Sequence, residues 1–168
     1  YYPSSRRFRN PLFLRVEEVP GAEGVDLGRW ASLGRAQNDD RRIDRDEVWR
    51  LKREALEACF EAFSGSASLD AFLRREGQAL LSFATYCAIA DEHGNGWPAW
   101  PAELQRPDAP AVAAYAERGR FHAWLQWLLD EQLAAVRPGY RQLGVVNDLA
   151  IGFAPNGFDA WSFQDELA

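Results

Sequence analysis

Asp148 stands among apolar neighbours in Gly144-Val145-Val146-Asn147-Asp148-Leu149-Ala150-Ile151-Gly152-Phe153. A buried carboxylate is costly unless paired, so this one is a candidate for holding a ligand or a neighbouring group. The stretch is β-branched and apolar without a helical stripe, which predicts a short buried strand over 144–153. Ala154-Pro155-Asn156-Gly157 follows as a turn, and then come Asp159 and Trp161. A buried strand that delivers polar and aromatic groups to a loop is how α/β barrels build binding sites at their strand ends. Tryptophan faces stack on sugar rings, although the same side chain also fills cores between helices.

Other chemistries find little support. Cleavage of a glycosidic bond takes two carboxylates facing each other across it, and spacing among the 25 Asp and Glu residues picks out no pair. The two histidines, His93 and His122, lack the i, i+4 spacing of a helix-borne metal pair, so no metal site is expected. His93, beside Gly94, suits the C-terminal end of a helix dipole. Ser4-Ser5 has no Gly-x-Ser-x-Gly context. No Gly-rich phosphate loop is present. Arg42-Ile43-Asp44 invites comparison with a nucleophile held by an arginine, but Asp44 is better read as a helix N-cap. Cys59 and Cys87 fall on apolar helical faces and are expected as buried thiols in a reducing, cytoplasmic compartment.

The 168 residues suit one domain with a real core, and the 47% hydrophobic and 26% charged fractions are those of a globular chain. A net charge of −6 argues against nucleic acid, and the Arg6, Arg7, Arg9 group is too short to reverse that. No run of eighteen apolar residues exists, so no membrane span is expected. The chain holds no methionine and opens on Tyr1-Tyr2-Pro3, which suggests a piece of a longer polypeptide.

The positioning elements are mostly helical. Leu12 to Val16 reads as a short strand. Residues 26–33 could form one or two helical turns, and 37–42 a charged connector. Asp44 with Glu47 has capping-box spacing, and Val48, Leu51, Ala55, Leu56, Cys59 and Phe60 then recur at helical spacing until Ser64-Gly65. A second helical run from Ser68 to His93 carries Gly77, which marks a kink or a join between two helices. The loop 95–107 contains Trp97-Pro98-Ala99-Trp100-Pro101. Asp108 is expected to cap a short helix with Pro110 in its first turn. A long helix follows, with Phe121, Trp124, Leu125, Leu128, Leu129 and Leu133 on its apolar face. A crossover between parallel neighbours needs one helix; so much helix between two strands suggests a helical subdomain inserted into a barrel.

Four segments in register carry a family resemblance. Tyr1-Tyr2-Pro3-Ser4-Ser5-Arg6-Arg7-Phe8-Arg9-Asn10-Pro11-Leu12-Phe13-Leu14 resembles the Ser-Pro-Tyr-x-Pro-Ser-Ser-Arg-x-x-x-Asn-Pro-Leu-Tyr stretch of 4-α-glucanotransferases, the amylomaltases of glycoside hydrolase family 77. Ile43-Asp44, Val48 and Lys52-Arg53-Glu54-Ala55-Leu56 resemble that family's next helix. Phe121 with Trp124-Leu125-Gln126-Trp127-Leu128-Leu129-Asp130-Glu131-Gln132-Leu133 is similar to its Phe…Leu-Gln-Trp-Leu-x-Asp-Glu-Gln-Leu helix. Asp148-Leu149-Ala150-Ile151-Gly152 through Asp159-Ala160-Trp161 resembles its Asp-Leu-Ala-Val-Gly…Asp-Ala-Trp segment.

The resemblance implies an α/β fold: a partial (β/α)8 TIM barrel segment, with strands near 12–16 and 144–153. Residues 26–118 would form the mostly helical insert, and 119–168 a helix, a barrel strand and the following loop. It implies transfer of α-1,4-glucan segments between maltooligosaccharides or glucose by a retaining double displacement, in which an Asp nucleophile and a Glu acid/base act without metal or organic cofactor. Those carboxylates lie on later strands of the family, so no residue of this chain is assigned a catalytic role. Tyr1, Asp148, Asn156, Asp159 and Trp161 are the implied substrate-binding residues. The implied partners are an α-glucan and the remainder of the barrel. Two other readings stay open: a helical protein-interaction domain, and a glucan-binding module using Trp97, Trp100 and Trp161.

Overall fold

The structure, a computed structural model, describes residues 2–39, 41–94, 96–136 and 150–167. The chain divides into two compact units, Asn10–Ala67 and Tyr1–Arg9 with Ser68–Ala168. Among the described residues the architecture is helical, and no strand is present.

In the unit Asn10–Ala67, the strand expected over 12–16 does not form. Short 3-10 turns at Pro11–Phe13 and Val16–Glu18 take its place. The reason is local. The Asn10 side chain accepts the Leu12 N–H at 2.9 Å, and Pro11 presets the first turn. Lys52 then donates its ammonium to the carbonyls of Leu12 and Leu14 at 2.7 and 2.8 Å, giving them partners that a sheet would otherwise supply. Helix α1 (Gly28–Ala36) and helix α2 (Arg45–Ala62) follow. Asp44 caps α2 as expected, accepting from the Asp46 and Glu47 amides at 3.1 and 3.0 Å. The Glu47 carboxylate pairs with Arg50 at 2.7 Å. Leu51, Ala55, Leu56 and Cys59 form the buried stripe of α2, and Leu14 and Val19 are buried in the same unit. Burial pushes the Cys59 thiol above its ordinary pKa.

The second unit is built on helix α3 (Ala67–His93), helix α4 (Arg120–Val136) and helix α5 (Phe158–Ser162). Gly77 interrupts α3 with φ 57° and ψ −140°, a conformation only glycine adopts without strain, so the expected kink is real. In α4 every residue from Phe121 to Leu129 is buried, so this helix is enclosed on all sides rather than on one stripe. Its one buried amide, Gln126, is satisfied by the backbone of Arg9: it accepts the Arg9 N–H at 2.9 Å and donates to the Arg9 carbonyl at 2.8 Å. Between α3 and α4 run 3-10 turns at Trp97–Ala99, Ala102–Leu104 and Pro110–Tyr115. The last of these takes Ala109, not Asp108, as its N-cap, and the Asp108 carboxylate lies 3.6 Å from Arg106.

The strand expected over 144–153 falls partly outside the described residues, which resume at Ala150. From Ala150 to Phe153 the chain is not a strand, and Ile151 is 98% exposed. A β-branched apolar run makes a strand only where a neighbouring strand offers a ladder, and the described chain offers none. What remains of that expectation is a bond from the Ala154 N–H to the Pro3 carbonyl at 2.9 Å. The partial barrel is therefore corrected to a helical assembly.

Candidate functional site

Two stretches far apart in sequence are stitched together around Asp159. The Pro3 carbonyl accepts the Ala154 N–H, and the Ser4 carbonyl accepts the Asp159 N–H at 3.0 Å. Ser4 also accepts the Phe158 N–H on its hydroxyl at 3.0 Å, capping the start of α5. In return, the Asp159 carboxylate accepts the Arg6 backbone N–H at 2.9 Å and its Nε at 3.3 Å. Asp159 is 4% exposed, so its charge is compensated where water cannot do so. Gly157 allows the approach: a Cβ there would lie 2.7 Å from the Ser4 Cα and 2.9 Å from its carbonyl oxygen. Ser5 turns the chain beyond the stitch, accepting the Arg7 and Phe8 amides on its hydroxyl, both at 3.2 Å.

Beside Asp159 lies an open hollow of about 500 Å³, walled by Arg6, Phe8, Gln78, Ser82, Ser162 and Phe163. Its floor is the aromatic core, in which Phe8 stacks on Phe83 at 4.3 Å and Phe83 meets Phe158 edge-on at 5.2 Å. A carboxylate, two hydroxyls and an amide around apolar walls can hold a polar ligand that has apolar faces.

The residues implied as substrate contacts divide by position. Tyr1 and Asp148 lie outside the described residues. Asn156 is exposed at the tip of the turn, and its carbonyl accepts from the Tyr86 hydroxyl at 3.0 Å. Asp159 borders the hollow. Trp161 sits in the core at 1% exposure, against Tyr86 and Trp100, and donates its indole N–H to the Leu104 carbonyl at 3.1 Å. Trp100, at 2% exposure, donates to the Gly94 carbonyl at 2.8 Å, and Trp97 donates to the Pro155 carbonyl at 3.3 Å. Trp100 and Trp161 are enclosed in the core and brace backbone, which leaves only the partly buried Trp97 of the three to a glucan-binding module.

Sequence reasoning missed Ser4, Arg6 and Gln78. Ser4 and Arg6 fall within the segment that resembles the family, but nothing in that segment gives them a partner. No local pattern announces a bond that spans 154 residues.

Tyr86 links this site to alkaline stability. It is 4% exposed, and burial pushes its phenol up to about 12, against a smaller lowering by the Ser4 hydroxyl. A pKa raised in the folded state contributes stability below the ordinary tyrosine value of 10.0, and that contribution is lost as pH rises from there toward 12. We therefore expect unfolding free energy to fall by about 2–3 kcal/mol more across that window in the wild type than in Tyr86→Phe. Parallel urea titrations at stepped pH measure it, and equal slopes for the two proteins would contradict it.

The family model for 4-α-glucanotransferase, glycoside hydrolase family 77, matches residues 1–168. The chain belongs to this family. It is 44% identical to a 4-α-glucanotransferase of Mycobacterium bovis over 187 residues, covering all of this chain and 25% of the relative. It is 29% identical to a 4-α-glucanotransferase of Haemophilus influenzae, over 98% of this chain and 28% of that protein. With the enzyme of the same name from Thermus thermophilus it shares 29% identity, over 84% of this chain and 32% of the relative. The chain thus spans about a quarter to a third of the length of these curated relatives. Among the described residues no helix is long and apolar enough to cross a membrane, and no three His, Cys, Asp or Glu side chains are grouped to hold a metal ion.

Proposed function

We propose that the full-length protein containing these residues transfers α-1,4-glucan segments between maltooligosaccharides, or onto glucose, by a retaining double displacement. The observation that carries this reading is the family match, which runs from residue 1 to residue 168 without a gap at either end. The nucleophile and the acid/base belong to parts of the protein outside these residues. To the substrate site residues 1–168 contribute the exposed Asn156 and the hollow beside Asp159, together with Tyr1 and Asp148, which the family resemblance assigns to it. Trp161 acts from beneath, as a brace for that site. The rest of the polypeptide is the partner that completes the site.

Incubation of the full-length protein with maltotriose tests this. Glucose and a ladder of longer maltooligosaccharides should appear together, with the α-configuration kept in the product. Residues 1–168 alone should yield neither. Hydrolysis without chain lengthening, or transfer catalysed by the 168-residue piece, would contradict the proposal.

A further inference from the structure

Tyr2 is 73% exposed. A single exposed aromatic is ordinary, but the setting of this one is not. Its backbone is fixed on the C-terminal side, because Pro3 and Ser4 are hydrogen-bonded to Ala154, Phe158 and Asp159. Pro3 further narrows the conformations open to Tyr2 itself. The ring rests over bare backbone: a Cβ on Gly152 would fall 2.9 Å from Tyr2 Cε1 and 3.1 Å from Cδ1. Next to it Arg6 lies over the Phe153 ring at 5.2 Å, and Asn156 is exposed in the following turn. A half-buried charge pair, Arg6 with Asp159, and a glycine contact hold this segment, and its phenol ring is exposed among the described residues.

We propose that Tyr2 is a stacking contact for one glucose unit of an α-glucan chain. The inference rests on the glucan reading given under Proposed function. The C–H-rich face of a glucopyranose matches an aromatic face, and the phenol oxygen at the wet end of the ring can exchange hydrogen bonds with a sugar hydroxyl. Because the backbone beside it is already fixed, less conformational entropy is lost when sugar binds than for a ring on a free segment. Gly152 sets the depth at which the ring lies, so its lack of a side chain is part of the contact.

Steady-state kinetics on the full-length protein with maltotriose test the assignment, with maltoheptaose binding by calorimetry as a second readout. Tyr2→Ala should raise KM and Kd about fivefold while kcat stays within about twofold, the size expected for one aromatic contact. Tyr2→Phe keeps the ring and should bring both constants back to within about twofold of wild type. Gly152→Ala leaves Tyr2 in place but pushes its ring, and should raise KM and Kd about threefold without moving the unfolding midpoint. The proposal is overturned if Tyr2→Ala leaves both constants unchanged, or if Tyr2→Phe is as damaging as Tyr2→Ala. Should Tyr2→Ala not fold, the other two variants decide by the same criteria. A wild-type protein that binds maltoheptaose but transfers no glucan would sink the proposed reaction and leave the Tyr2 contact to be judged on Kd.

Discussion

Replacing Trp161 by alanine should cost this chain about 3–5 kcal/mol of unfolding free energy. The side chain is 1% exposed, and its ring meets Tyr86 at 5.4 Å and Trp100 at 6.1 Å. Truncation opens a cavity lined by aromatic groups that are themselves hydrogen-bonded to backbone and cannot close over it. It also strips the Leu104 carbonyl of the indole N–H that satisfies it at 3.1 Å. Urea unfolding followed by far-ultraviolet circular dichroism measures the loss, since tryptophan fluorescence would change with the substitution itself. A loss under about 1 kcal/mol would show that the site is not a packed core position.

Gly157→Ala is expected to cost about 1–3 kcal/mol. The atoms a new Cβ would meet, 2.7 and 2.9 Å away, belong to the Ser4 backbone and cannot swing aside as a flexible side chain can. The cheapest relief is separation of the two stretches. The effect should therefore be local before it is global. Amide exchange at Phe158 and Asp159, whose N–H groups bond to Ser4, should accelerate more than exchange in the middle of α4. Unchanged protection at those two amides would mean that the stitch does not depend on the glycine.

The outcome for α2 shows what a sequence can specify by itself. Asp44 and the Leu51, Ala55, Leu56, Cys59 spacing are local signals, and the capped helix with its buried stripe follows from them. The same is true of Gly77, whose missing side chain marked the break in α3. The strand expected over 12–16 failed for the complementary reason, as did the described part of the second, Ala150 to Phe153. A strand is defined by what lies next to it, and an apolar run such as Val145 to Phe153 carries no information about its neighbour. Between 12 and 16, turn formers on one side and a lysine forty residues away decided the backbone instead.

The site was readable only in part. Asn156 and Asp159 stood out by chemistry, and the structure puts one at an exposed turn and the other beside a hollow. Trp161 stood out too, but an indole serves a core as well as a ligand, and only burial separates the two roles. Ser4 and Arg6 could not have been found, because their partners lie beyond any local window. The family resemblance did place both stretches in one frame, although it carried no hydrogen bond between them.

That long-range stitch also bears on how the molecule comes into being. Ser4 is made before its partner, because the Phe158 amide that its hydroxyl caps is encoded 154 positions later. At a synthesis rate of about 5–20 residues per second, the segment around Ser4 waits roughly eight to thirty seconds for its counterpart to be made. During that interval its serines and arginines have only water and the growing chain for company. Closure of so large a loop is a late event in assembly, and the carboxylate of Asp159 arrives to meet a segment made well before it.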